Sequence, residues 1–206
     1  MLPIPAPMLA TPGGKPFTSP DWLFEIKWDG YRCMARAGGG HAVELRTKNG
    51  ADCTGWYPEV ARALDALPGG PHIIDGEACV LDDLGRSDFE ALHARARRRR
   101  HYQGAPQVTL MAFDLLVHDG HSVMALPLAE RKARLSQLLA RLPKECVLYV
   151  GEFPAQENLF QEVVLGLQLE GFVAKRLASP YLPGIVTADW VKLKRPGWNQ
   201  GRSWQR

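Results

Sequence analysis

Apolar and polar positions alternate along much of this chain with the two-residue period of half-buried strands. "LFEIKW" (23–28), "YRCMARA" (31–37) and "HAVELRT" (41–47) read as strands joined by Asp29-Gly30 and Gly38-Gly39-Gly40, with Asn49-Gly50 as a further turn signal. "HIIDGEACVLD" reads as two short strands around Asp75-Gly76 and "QVTLMAFDLLVHDG" as a strand ending in a turn. "ECVLYVGEF", "GFVAKRL" and "DWVKLKR" are further strands. A helical period runs through "PEVARALDAL" (58–67), opened by Pro58, through "LAERKARLSQLLARL" and through "ENLFQEVVLGLQL". "SDFEALHARARRRR" opens with a capping box from Ser87 to Glu90, which places the arginine run on the last turns of a helix. Residues 1–20 form an irregular entry rich in proline and glycine, and no internal repeat or long linker interrupts the rest. Hairpin-linked strands with few helices predict one α+β domain over residues 1–206, not a doubly wound parallel sheet.

Composition narrows the class without changing that picture. The 206 residues are 46% hydrophobic and 23% charged with a formal net charge of +3, enough for one core in an ordinary globular protein. No apolar run is long enough to span a membrane, and the proline-broken start is not a secretory signal. Cys33, Cys53, Cys79 and Cys146 are widely spaced, which argues against a zinc site or disulfide framework and for reduced thiols in the cytoplasm. Charge is concentrated in "RARRRR" (95–100) and beyond Asp189, where Lys192, Lys194, Arg195, Arg202 and Arg206 occur with no acid. Such clusters favour polyanion binding, although a solvated helix face is the plainer reading of a charge run alone.

Lys27 interrupts an apolar strand, where lysine is seldom buried. Four other short elements share its chemistry: "DGE" (75–77), "FDLL" (113–116), "EGFVAK" (170–175) and "WVKLK" (190–194). Strand alternation points Lys192 and Lys194 to one face. Lysines converging with Glu77 and Glu170 would suit a triphosphate and a divalent metal, since ammonium groups neutralise phosphate oxygens and carboxylates hold Mg2+. A lysine acts as a nucleophile only as the free amine, a form that neighbouring cations and partial desolvation favour. Taken singly, each element has a plainer explanation: Phe113 as core, Asp75-Gly76 as a hairpin turn, Glu170-Gly171 as a helix end. Their joint occurrence reverses that preference.

"KWDGYR" resembles the active-site motif K-x-D-G-x-R of the covalent nucleotidyltransferases, the superfamily of ATP-dependent DNA ligases, RNA ligases and mRNA capping enzymes. All five elements stand in the order and at the spacing of that family. "PAPMLA", "FEIKWDGYR" and "EGFVAKR" are most similar to bacterial ATP-dependent DNA ligases of the end-joining type, with the resemblance running from about Pro7 to Arg195. It implies the adenylation (nucleotidyltransferase) domain of a ligase, with antiparallel sheets flanked by helices. By the same resemblance, Lys27 would attack the α-phosphate of ATP to form lysyl-AMP. Glu25 would lie beside adenine, Phe113 would stack on it, and Arg32 would contact the ribose or the nick terminus. Glu77 would bind the ribose or a metal-bound water, Glu170 would help hold Mg2+ or Mn2+, and Lys175, Lys192 and Lys194 would grip the phosphates. Asp29 would orient the turn or the lysine.

Two departures from the pattern matter. Where the family carries S-R-N-G, this chain has Thr47-Lys48-Asn49-Gly50, and Lys48 gives the nick phosphate charge without a guanidinium fork. The family also continues into an OB-fold after "WVKLK", whereas only twelve residues follow Lys194, which favours a natural stand-alone adenylation domain. A protein partner could then supply OB-fold-like cations, or Arg97, Arg98, Arg99 and Arg100 could contact DNA in compensation. The leading expectation is an ATP-dependent ligase sealing nicked or broken DNA, cytoplasmic and associated with the nucleoid. The alternatives are a non-catalytic DNA-end-binding subunit of a repair complex and an RNA ligase or capping activity.

Overall fold

A computed structural model describes residues 2–198. The chain runs through β1 (Leu9–Thr11), β2 (Ser19–Ile26), β3 (Tyr31–Ala37) and β4 (Glu44–Thr47). A 3-10 turn (Thr54–Trp56) precedes α1 (Pro58–Asp65), β5 (His72–Cys79), α2 (Phe89–Ala96), β6 (Thr109–His118) and β7 (His121–Ser122). α3 (Leu128–Leu139), β8 (Val147–Tyr149), β9 (Glu152–Ala155), β10 (Gly171–Arg176) and β11 (Val186–Lys194) complete it. One sheet has the order β1-β11-β10-β2-β9 and the other β4-β3-β5-β6-β7, with β8 beside β6. Pairing is antiparallel except β1 with β11 and β6 with β8, the α+β arrangement that the hairpin signals predict. No helix among the described residues is long and apolar enough to cross a membrane.

Alternation along the strands sorts side chains into layers. Cys33, Ala35, Ile74 and Ala78 pack with α1 and α3 on the outer face of the second sheet. Phe24, Phe172, Ala174 and Leu193 pack on the outer face of the first, against Phe160 and Val164. Met34, Ile73, Met111, Phe113 and Trp190 join the two sheets between their inner faces. Residues one position out of step with the outer cores, Glu25, Arg32, Glu77, Lys175, Lys192 and Lys194, therefore belong to the inner faces, where the candidate chemistry collects.

Four local expectations need correction. β5 is one continuous strand rather than two, because Asp75-Gly76 forms no turn. The N-cap of α2 is Asp88, whose side chain accepts from Ala91 N at 3.0 Å, because the Ser87 hydroxyl instead accepts from Asp29 N at 3.2 Å. α2 also ends at Ala96, so Arg97 caps it and Arg98–Arg100 follow in turns. "ENLFQEVVLGLQL" is helical only in part, Glu157–Leu159 widening into a π-helical turn, Phe160–Leu165, ahead of Glu170.

The arginine run divides by burial. Arg95 is 1% exposed, ion-paired to Glu59 at 2.6 Å, and donates to the carbonyls of Trp56 and Pro106. Arg97–Arg100 are exposed. Arg95→Met is expected to lower unfolding free energy by about 2–4 kcal/mol, because it strips the half-buried Glu59 carboxylate and two backbone carbonyls of their partner, whereas Arg97→Ala should stay within about 0.5 kcal/mol. Urea denaturation of the two variants checks this, and equal losses would contradict the division.

Candidate active site

The turn after β2 carries Lys27, whose backbone N–H donates to Gly171 O at 2.9 Å. Only glycine fits at 171, since a Cβ there would stand 2.0 Å from Leu193 O. That close approach brings the ends of β2, β10 and β11 together. Lys27 Nζ lies 2.8 Å from Glu170 Oε1, and Lys194 Nζ lies 2.8 Å from the same oxygen. Glu170 is 4% exposed, and its Oε2 accepts no hydrogen bond among the described residues.

Glu25, Lys27, Arg32, Lys48, Glu77, Phe113, Lys175 and Lys192 line one cavity between the sheets, with Trp28, Val173 and Trp190. Glu25 is 2% exposed. Its Oε1 is 2.6 Å from Lys132 Nζ and its Oε2 is 2.6 Å from Lys175 Nζ. Burial opposes charge on Glu25, but the two ammonium groups outweigh it and hold the carboxyl below the usual range. Lys175, expected to grip the phosphates, is instead buried, 1% exposed and held by Glu25, with its Nζ 4.3 Å from the centre of the Phe113 ring and 4.1 Å from that of Trp190. The Arg32 guanidinium grips both oxygens of buried Asp75 at 2.5 Å and lies 4.7 Å from the centre of the Phe113 ring. Tyr181 donates to Asp75 Oδ2 at 2.6 Å and accepts from Met8 N, closing the network behind Arg32.

Charged groups crowd around Lys27. Lys192 is pushed down by partial burial and by the nearby cations Lys27, Lys194 and Lys48. Burial pushes Glu77 up to about 7, with Asp75 and Glu170 adding to the rise and Arg32 and Lys27 opposing it. Between the ordinary value of 4.5 and about 7 the folded state therefore holds a proton at Glu77 that the unfolded chain releases, so this group's contribution to stability falls as pH rises. Glu77→Gln in metal-free buffer should stabilise the protein more at pH 8 than at pH 5, by about 1 kcal/mol. Equal melting-temperature shifts at the two pH values would contradict it.

The donor set fits a divalent cation. Glu170 keeps one buried oxygen without a partner, and Glu77 is a second hard carboxylate facing Lys27 from the cavity side. Among the described residues, the one cluster of three metal-type donors, His72, His118 and Asp119, lies at the opposite end of β5. There His72 already pairs with Pro68 O at 3.0 Å and Asp119 N at 3.3 Å.

Arg97–Arg100 stand outside the cavity. Arg97 and Arg99 line an adjoining groove with Lys48, while the Arg98 guanidinium lies 4.1 Å from the centre of the Tyr102 ring. Arg202 and Arg206 lie outside the described residues. The sequence reading missed Lys132, Asp75, Tyr181 and Trp190. Lys132 had a signal: it sits four residues after Leu128 and three before Leu135, both fully buried on α3.

Two largely antiparallel sheets enclosing a lysine-rich, carboxylate-bearing cavity form the nucleotidyltransferase fold of ligases. The chain belongs to the family described as ATP dependent DNA ligase domain, whose profile matches residues 7–194. It is 36% identical over 174 residues to the multifunctional non-homologous end joining protein LigD of Pseudomonas aeruginosa, covering 84% of this chain and 20% of that protein. To LigD of Mycobacterium tuberculosis it is 36% identical over 197 residues, 94% of this chain and 24% of that protein. The chain thus spans about a fifth to a quarter of the length of these relatives. Among solved structures, mycobacterial DNA ligase D complexed with ATP and MES superposes with a TM-score of 0.79 at 33% identity, over 93% of this chain and 60% of that one.

Proposed function

We propose that residues 1–206 act as the adenylation unit of an ATP-dependent DNA ligase, forming lysyl-AMP at Lys27 and passing AMP to a DNA 5′-phosphate. The observation that carries this reading is Lys27 Nζ at the cavity wall, 2.8 Å from a buried carboxylate and ringed by further cations. In the first step a bond forms between Nζ and the α-phosphorus, and the bond from that phosphorus to the α–β bridging oxygen breaks, releasing pyrophosphate. Glu170 Oε1 is within reach of the proton that Nζ must lose. Lys192 and Lys194 would neutralise the phosphate oxygens, an electrostatic task that dominates nucleotidyl transfer. Phe113 would offer an apolar face to adenine, with buried Trp190 packed edge-on against it, Lys175 and Glu25 would shape the floor of the pocket, and Arg32 and Glu77 would flank the ribose. Glu170 and Glu77 would hold Mg2+ or Mn2+, which supplies further neutralisation of the triphosphate. AMP then passes to the 5′-phosphate, and the 3′-hydroxyl of the adjoining strand displaces it as the nick closes.

The end-joining relatives favour DNA breaks as the substrate, which on this reading is met in the cytoplasm at the nucleoid, where a protein partner can contribute further cations to the site. The direct test is joining of a 5′-phosphorylated nick with ATP, GTP or NAD as donor. Joining with ATP alone supports the proposal. A folded protein that binds nicked DNA but neither joins it nor takes up AMP with any donor would favour a non-catalytic end-binding subunit.

A further inference from the structure

A second groove opens directly from the nucleotide cavity, sharing Arg32, Lys48 and Glu77 with it. Beyond that junction its walls are the Thr47–Asn49 turn on one side and Trp56, Arg97 and Arg99 on the other. Glu77 is the one acidic residue lining it, and it sits at the junction. The groove is built on a rigid support. Buried Arg95 donates to Trp56 O at 2.9 Å and pairs with Glu59, which ties the arginine loop to the turn carrying Trp56. His101 N donates to Gly55 O at 3.2 Å and fixes the far end of the same loop. Arg99 holds a left-handed backbone, φ 50°, a conformation that a non-glycine residue keeps only when its surroundings enforce it.

Cations alone would accommodate any phosphate backbone and would not distinguish paired from unpaired DNA. Trp56 adds something different. It is partly exposed, and its ring packs edge-on against Tyr57 at 6.3 Å, the T-shaped contact of two orthogonal rings. An indole ring in a cationic groove suits a base that has left its stack, because base-paired nucleotides present no free face.

We propose that this groove binds an unpaired nucleotide at the broken end of a DNA strand, the base against Trp56 and its flanking phosphates on Lys48, Arg97 and Arg99. The inference rests on the ligase reading and extends it: the protein favours ends carrying a short single-stranded tail over a fully paired nick. Guanidinium groups at 97 and 99 also supply the forked phosphate contacts that Lys48 lacks.

The test is fluorescence anisotropy with two labelled duplexes, one with a paired nick and one with a three-nucleotide single-stranded tail. The unmodified chain should bind the tailed duplex about tenfold more tightly, as one stacked base would give. Trp56→Leu should remove that preference and leave nick binding unchanged, while Trp56→Phe should restore most of it. Arg97→Gln with Arg99→Gln should weaken tail binding and flatten its salt dependence; both residues are exposed, so folding is preserved. Equal affinity for the two duplexes, or a tail preference that survives Trp56→Leu, overturns the inference and leaves the ligase reading intact. No binding to either duplex overturns both.

Discussion

Lys27→Arg is expected to lower ATP-dependent labelling of the protein by at least about 10³-fold, the scale seen when a covalent nucleophile is removed. Arginine is the informative replacement. It keeps a positive charge within reach of Glu170, but its guanidinium does not lose a proton in a protein and so cannot attack phosphorus. ATP affinity should change far less than labelling, because Lys192 and Lys194 still meet the phosphates. The side chain of Lys27 is 19% exposed and its main contact is one ion pair, so the melting temperature should barely move. Labelling at the wild-type level in Lys27→Arg would place the acceptor elsewhere. Loss of labelling together with unfolding would be resolved by Lys27→Gln, in which Glu170 keeps its second cation, Lys194.

The second large effect is structural. Lys132 is 2% exposed, with Nζ 2.6 Å from Glu25 Oε1, 2.9 Å from Val150 O and 3.4 Å from Glu152 Oε2. Lys132→Met leaves Glu25 buried with only Lys175 as its cation, and the expected cost is about 3–5 kcal/mol. Against a typical total of about 5–15 kcal/mol that is a large share. Pairing the substitution with Glu25→Gln should recover part of the loss, since both changes remove the same interaction. The sign with pH is also fixed. The folded pKa of Glu25 is depressed, so its stabilisation is present above the unfolded value of 4.5 and disappears as pH falls through the folded one. The Lys132→Met penalty measured by urea denaturation at pH 7 should therefore shrink at low pH. Additive losses in the double variant would show that Lys132 does not act through Glu25.

Much of the architecture could be read from turn chemistry and alternation. Asp29-Gly30 and the glycines at 38–40 divide the early strands where the structure divides them, and the layer of each inner-face residue follows from its parity with neighbouring core residues. Turn chemistry misleads at Asp75-Gly76 for a physical reason. The pair has the composition of a turn, but Gly76 lies mid-strand because a Cβ there would stand 2.9 Å from Met111 O, and Asp75 is spent on Arg32 and Tyr181. The cap of α2 was misread because the Ser87 hydroxyl serves a turn 58 residues away in sequence. Convergence itself was not legible. The motifs name Lys27, Glu77 and Glu170, but that Lys132 reaches Glu25 across 107 residues follows only from α3 packing on the second sheet. The arginine run looked uniform, and burial alone separates Arg95, which braces the loop, from Arg97 and Arg99, which face a groove.

The central claim is that Lys27 Nζ becomes bonded to AMP. The most direct measurement is the intact mass of the protein after incubation with ATP and Mg2+, followed by peptide mapping of any adduct. A phosphoramidate should survive alkali and be lost in acid, which separates it from an ester on serine or tyrosine. The account predicts a mass gain of one AMP, carried by the peptide containing Lys27 and reversed by added pyrophosphate. An AMP adduct on any other residue, or none at all on a folded protein with ATP bound, would contradict it.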